Sequence, residues 1–200
     1  MWSSVNLGSI RVAAVLFCCA VCATAAERYS YWVEPCEKAD TGCRAGDDEL
    51  AGWAFDAWQK ASSGALEFTR STDRSHARIR VLWASAQQGL YGETRRVEVD
   101  GKPGAEVYVL PAPLGPSDDR LMRDAIVYLT CLHETGHALG LSHTAAFEDI
   151  MYSFQYGGDI GEYFGRYRRK LTSREDIRKN SGMSEADRRR LLQIVAAAKN

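Results

Sequence analysis

Proline is scarce in this chain, with five residues, and histidine scarcer still, with four. No internal repeat or low-complexity segment breaks the 200 residues, which excludes a solenoid or propeller and argues for one domain. Nothing in the chain has the fold motif or the aromatic interleaving expected of a nucleic-acid reader, so no nucleic-acid partner is expected. Only one apolar run is long, Val12 to Ala26, and it is too short to span a bilayer comfortably. Three of the six cysteines (Cys18, Cys19, Cys22) lie in that run, leaving too few for a disulfide-rich scaffold. The chain as a whole is 46% hydrophobic, an ordinary content for a packed core.

Arg11 precedes the apolar run, and small residues stand at Ala23 and Ala25. That pattern predicts a signal peptide over 1–25, cleaved near Ala25 or Ala26, and a mature domain over 26–200. An uncleaved N-terminal anchor is the alternative. The signal places the protein outside the cell or in a periplasm, with no stable membrane span in the mature form and no feature that calls for more than a monomer. In an oxidising compartment Cys36 and Cys43 pair most simply, closing a short loop, while Cys131 in an apolar helix stays a buried free thiol. Charge is uneven. Residues 166–200 carry 11 basic and 4 acidic residues, whereas the chain from Ala26 carries 24 and 26 in all. The basic end either docks on the acidic body, meets an anionic partner, or forms a solvated face.

Three of the four histidines fall in one stretch, CLHETGHALGLSHTAAFEDIM, from Cys131 to Met151. His133 and His137 are four apart, so a helix stacks them on one face. Gly140 tolerates positive φ and lets the chain turn back, bringing His143 round as a third ligand. Three neutral nitrogens with one position open describe a catalytic zinc site rather than a closed structural one. Zinc held in this way lowers the pKa of its water to about 7. Glu134, rotated off the ligand face, is placed to take that proton and pass it to a leaving amine.

HETGHALGLSH followed by DIMY resembles the metzincin zinc peptidases, and most closely their matrixin branch. The resemblance implies a zinc endopeptidase with one catalytic ion and a protein or peptide substrate. It also implies that Met151 forms an apolar floor under the imidazoles, and Tyr152 fits the matrixin pattern. Ser153 stands where some metzincins place a metal-binding tyrosine. The strand at Gly92–Val99 would be the sheet edge that pairs with an extended substrate. Phe154, Tyr156, Tyr163 and Phe164 would wall the pocket for the residue after the scissile bond, or else pack under a loop. The blocking cysteine motif and the loops for further zinc or calcium that matrixins carry are missing. Cys36 as a latch remains an alternative to its disulfide.

The chain in order predicts strands over 28–33, 66–69, 77–83, 92–99 and 105–110, the last two joined by DGKPG at 100–104. Asp47 is expected to cap a helix reaching Ala61, and Ser117 or Asp118 to cap a helix reaching Leu139. His76 reads as a solvated loop residue. Residues 153–170 show no clear period. Ser184 with Asp187 reads as a capping box for a last helix with Leu191, Leu192, Val195 and Ala198 inward. The expected fold is α+β and metzincin-like. A mixed, mostly parallel twisted sheet packs on two long helices, and a small C-terminal subdomain ends in a helix. The alternative function is a zinc-binding module that recognises a protein without cleaving it.

Overall fold

The computed structural model of the protein describes residues 25–85, 91–111 and 119–198. The expected signal peptide up to residue 24, and Ser117 and Asp118, lie outside them. Within them the fold is α+β, with a five-stranded mixed sheet and four helices. The strands are β1 (Glu27–Val33), β2 (Leu66–Arg70), β3 (Ile79–Trp83), β4 (Gly92–Val99) and β5 (Lys102–Val109). Their order is β2-β1-β3-β5-β4; all pairs are parallel except β4 with β5, so β4 is an antiparallel edge. The helices are α1 (Asp47–Ala61), α2 (Arg120–Ala138), α3 (Ile160–Arg168) and α4 (Glu185–Ala197). No helix among the described residues is long and apolar enough to cross a membrane.

Alternation in the strands makes the core. Tyr31, Val33, Ile79, Val81, Val107 and Val109 are buried and share one cluster with α1 and α2. α1 buries Leu50, Ala54 and Trp58, and α2 buries Ala125, Leu129 and Leu132, each set at helical spacing. Trp58 is fully buried, and its indole N–H donates to the Leu132 carbonyl at 3.0 Å, joining the two helices.

Asp47 does not cap α1. Gly46, in the left-handed region at φ +93, precedes the helix, and Asp47 is its first residue. Its buried carboxylate instead accepts from Arg123 in α2 at 2.7 Å on each oxygen and from the Arg44 amide at 2.8 Å. α2 is capped by Asp119, which accepts from the Met122 amide. The β4–β5 connection is two residues, not five. Asp100 and Gly101 both have positive φ, as a type I′ hairpin demands, and Lys102 to Gly104 already belong to β5. Pro103 is tolerated because β3 pairs with β5 only from Ala105 onward.

Residues 153–170 are not without regular structure. Asp159 accepts from the Glu162 amide and starts α3, which buries Tyr163, Phe164 and Tyr167. In α4 the Ser184–Asp187 capping box forms, and Leu191 and Val195 point inward. Leu192 is exposed because it is rotated off the 191/195 stripe, and Ala198 is exposed as the cap residue just beyond the end of α4. The Cys36–Cys43 disulfide is formed and Cys131 is a buried free thiol. The basic end docks on the body through Arg168–Asp119, Arg174–Glu49, Arg174–Asp124 and Arg190–Asp149 ion pairs.

Candidate metal centre

The last two turns of α2 carry His133, Glu134 and His137. The helix stops in a Schellman motif: the Leu141 amide donates to the Gly136 carbonyl and the Gly140 amide to the His137 carbonyl, both at 3.0 Å. Gly140 supplies the positive φ, +100, that this reversal requires. The same reversal orients a ligand, because His137 Nδ1 lies 2.8 Å from the Leu141 carbonyl. His133 Nδ1 lies 2.6 Å from the Ile150 carbonyl. A carbonyl only accepts, so both rings carry their proton on Nδ1 and leave the Nε2 lone pair bare.

Those lone pairs converge with that of His143. Its Nε2 is 3.0 Å from His137 Nε2 and 3.2 Å from His133 Nε2. One proton on His143 could satisfy only one of the two partners, whereas a cation satisfies all three nitrogens. Nitrogens bound tetrahedrally at roughly 2.0–2.1 Å stand about 3.4 Å apart, close to the separations here. Burial pushes the His133 pKa down to about 3, with His137 adding to it, and burial also lowers His137 and His143. Three neutral imidazoles are the protonation state a metal ion takes. The cluster can therefore hold a metal ion. The other group with metal-type side chains, Cys36, Cys43 and Asp47, is already committed to the disulfide and to Arg123.

Met151 is fully buried against α2. A Cβ on Gly136 would stand 2.5 Å from its sulfur and 3.0 Å from Trp58, so only glycine at 136 lets Met151 pack beneath the histidine-bearing turn. The Met151 segment is tied to the one following His143: the Thr144 amide donates to the Met151 carbonyl at 2.8 Å and the Ser153 amide to the Thr144 carbonyl at 3.1 Å.

Glu134 is buried, and its Oε2 accepts from the Thr94 hydroxyl on β4 at 2.7 Å. Burial pushes its pKa up to about 7, against the lowering effect of the Thr94 hydrogen bond. Gly92 makes room for it, since a Cβ there would sit 2.6 Å from Glu134 Cγ. Neither Gly92 nor Thr94 was a sequence candidate for the site. Both lie some forty residues away in the chain, and no local pattern announces a contact between a strand and a later helix.

A second group holds the loop, and of its members only the Ser184–Asp187 box is legible in the sequence. Asp149 is buried and accepts from Thr144, Ser184 and Arg190 side chains at 2.9, 2.6 and 2.8 Å. Asp187 accepts from the Ile150 amide at 2.8 Å. The Ile150 carbonyl that orients His133 is thus anchored from α4.

The histidines and Glu134 open onto a cleft of about 770 Å³ between β4 and the segment after Met151. Phe154, Tyr163 and Phe164 line it. Tyr163 does so from a buried position, its hydroxyl shared between the Asp149 and Ile150 carbonyls at 3.1 and 3.2 Å. Tyr156 does not line it; it is 56% exposed, on a short turn that faces solvent. Tyr91 closes the end of the cleft against Phe164, ring centroids 5.1 Å apart. His76 is exposed and lies 2.8 Å from Asp100, and it belongs to neither group of three metal-type side chains found among the described residues. No family model matches the chain, and no curated protein is significantly similar to it.

Proposed function

We propose that this chain is a secreted or periplasmic zinc endopeptidase of metzincin-like fold, acting as a monomer on protein or peptide substrates. The observation that carries the reading is the convergence of three bare imidazole nitrogens beside a buried carboxylate, in a cleft bordered by the outermost strand of the sheet. Three nitrogen donors leave a position open, the arrangement of hydrolytic rather than structural zinc.

His133, His137 and His143 would hold the ion. Zinc at this place would supply Lewis acidity toward a substrate carbonyl and its attacking water. Glu134, held by Thr94 and raised toward neutrality, takes the proton of that water and delivers it to the departing amine nitrogen. Met151 keeps the floor beneath the imidazoles dry. β4 offers its outer backbone groups to an extended peptide, which pairs as an added strand. Phe154, Tyr163 and Phe164 then face the side chain after the scissile bond.

The test is digestion of a random peptide library by the chain expressed in full, beside Glu134→Ala. The expected outcome is cleavage by the parent and a loss of roughly 100-fold or more in the variant, which keeps its fold and zinc. Equal cleavage by both would refute the mechanism. Zinc binding without cleavage by either would favour the recognition module instead.

A further inference from the structure

The cleft contains a cationic side chain that the chemistry above does not use. Arg96 is the single lysine or arginine among the described residues that line it. It is exposed, and it makes no hydrogen bond or ion pair with the described residues. Its neighbour Arg95 is engaged, forked onto Glu93 at 2.9 and 3.0 Å and lying over Tyr108. Alternation along β4 puts Gly92, Thr94 and Arg96 on one face. Gly92 meets Thr130 and Glu134, and Thr94 meets Glu134, so that face looks at α2. Arg96 lies two residues further along the strand, near His137 and away from Tyr91, which packs on Phe164.

We propose that Arg96 is a specificity residue that selects an acidic side chain on the N-terminal side of the bond to be cut. The inference rests on the peptidase reading and adds the substrate's charge and its direction. A peptide pairing with β4 gains most in the antiparallel sense, the more stable per residue. It then runs against β4, with residues before the scissile bond beside Arg96 and those after it toward Tyr91, Leu129 and Phe164. A guanidinium there offers a two-pronged donor to a carboxylate, and no carboxylate among the described residues pairs with it.

The experiment profiles cleavage of a random-sequence peptide library by the full chain and by Arg96→Glu and Arg96→Gln, with zinc counted in each. The parent should enrich Asp or Glu before the cleaved bond, and Arg96→Gln should lower kcat/KM for those peptides roughly tenfold or more, the worth of a charge-assisted hydrogen bond. Arg96→Glu should shift the preference to Lys or Arg. Peptides neutral at that position should be cut within about twofold of the parent rate, at unchanged zinc content. Cleavage without acidic enrichment, or enrichment retained in both variants, overturns the inference and leaves the peptidase reading standing. Acidic enrichment only after the bond overturns the direction assigned to the substrate. Absence of cleavage by the zinc-loaded parent overturns both readings.

Discussion

The helical half of the candidate metal centre and its loop half are held by different forces. His133, Glu134 and His137 ride on the end of α2 whose hold is apolar: Leu129, Leu132 and Cys131 are buried in the core and Trp58 closes over the Leu132 carbonyl, while the buried Arg123–Asp47 ion pair lies at the other end of the helix. His143 and Met151 sit on a connection without a helix or named strand, and its hold is polar. Asp149 and Asp187 gather Thr144, Ser184, Arg190 and the Ile150 amide. The halves meet at the Ile150 carbonyl, which is placed by the loop and faces His133 on the helix, and at Met151, packed under Gly136. An apolar hold is insensitive to pH and salt, whereas a carboxylate hold depends on its ionisation. The third ligand should therefore be lost under conditions that leave the helical pair in place.

Breaking the apolar half has the largest effect. Trp58→Ala should cost about 3–5 kcal/mol of stability, since a large side chain is removed from a fully buried site, and denaturant melts would read it as a loss of the whole fold. A loss below about 1 kcal/mol would mean that α1 and α2 are not joined as described.

Breaking the polar half is smaller and more local. Asp149→Ala takes one partner each from Thr144, Ser184 and Arg190, which keeps its ion pair with Asp187, and should cost roughly 2 kcal/mol. Zinc affinity should fall with it, although no ligand is touched. Unchanged affinity would show that the Asp149 cluster does not position His143. Acid should do the same reversibly. Burial would raise the Asp149 carboxyl, but hydrogen bonds from Ser184, Arg190 and Thr144 outweigh it and hold the pKa below its ordinary value. A depressed carboxylate contributes fully above the unfolded value of about 3.9 and loses its contribution as pH falls through the folded value. Its share of stability should be flat near neutrality and decline below about pH 4. In Asp149→Asn that acid-dependent component should be absent from a pH series of unfolding.

Gly92→Ala presses on the helical half only at the Glu134 and Thr130 side chains and should be the mildest for the fold, about 1 kcal/mol. Its Cβ would displace Glu134, so turnover should fall by roughly 10²-fold while zinc stays bound, separating metal binding from proton transfer. Activity equal to the parent would mean that Glu134 works from another position.

The helical half was the more legible in the sequence. His133 and His137 announce themselves by spacing, Gly140 by the turn that must follow, and the Ser184–Asp187 box by its residue types. These are local rules, and local structure obeys them. The strands follow from alternation, but the β4–β5 turn was read too long. Pro103 looks like a turn residue, and only the positive φ at Asp100 and Gly101 shows that the turn is complete before it. α3 escaped notice because Gly161 and Gly165 blur its period, although Asp159 and Glu162 already supply its start. Asp47 has a cap's chemistry, yet its partner Arg123 is 76 residues away, and a buried pair of that kind has no local signature. Gly92, Thr94 and Asp149 escaped for the same reason. Each matters through a contact that the fold creates, so the ligands could be read and the residues that hold them could not.

The central claim is that three imidazole nitrogens converge because they share a metal ion. The direct measurement is the zinc content of the purified full chain, before and after dialysis, beside His143→Ala. The account predicts one zinc per chain retained by the parent and largely lost by the variant. A parent that holds no zinc, or a His143→Ala chain that retains it as tightly, would contradict the account at its foundation.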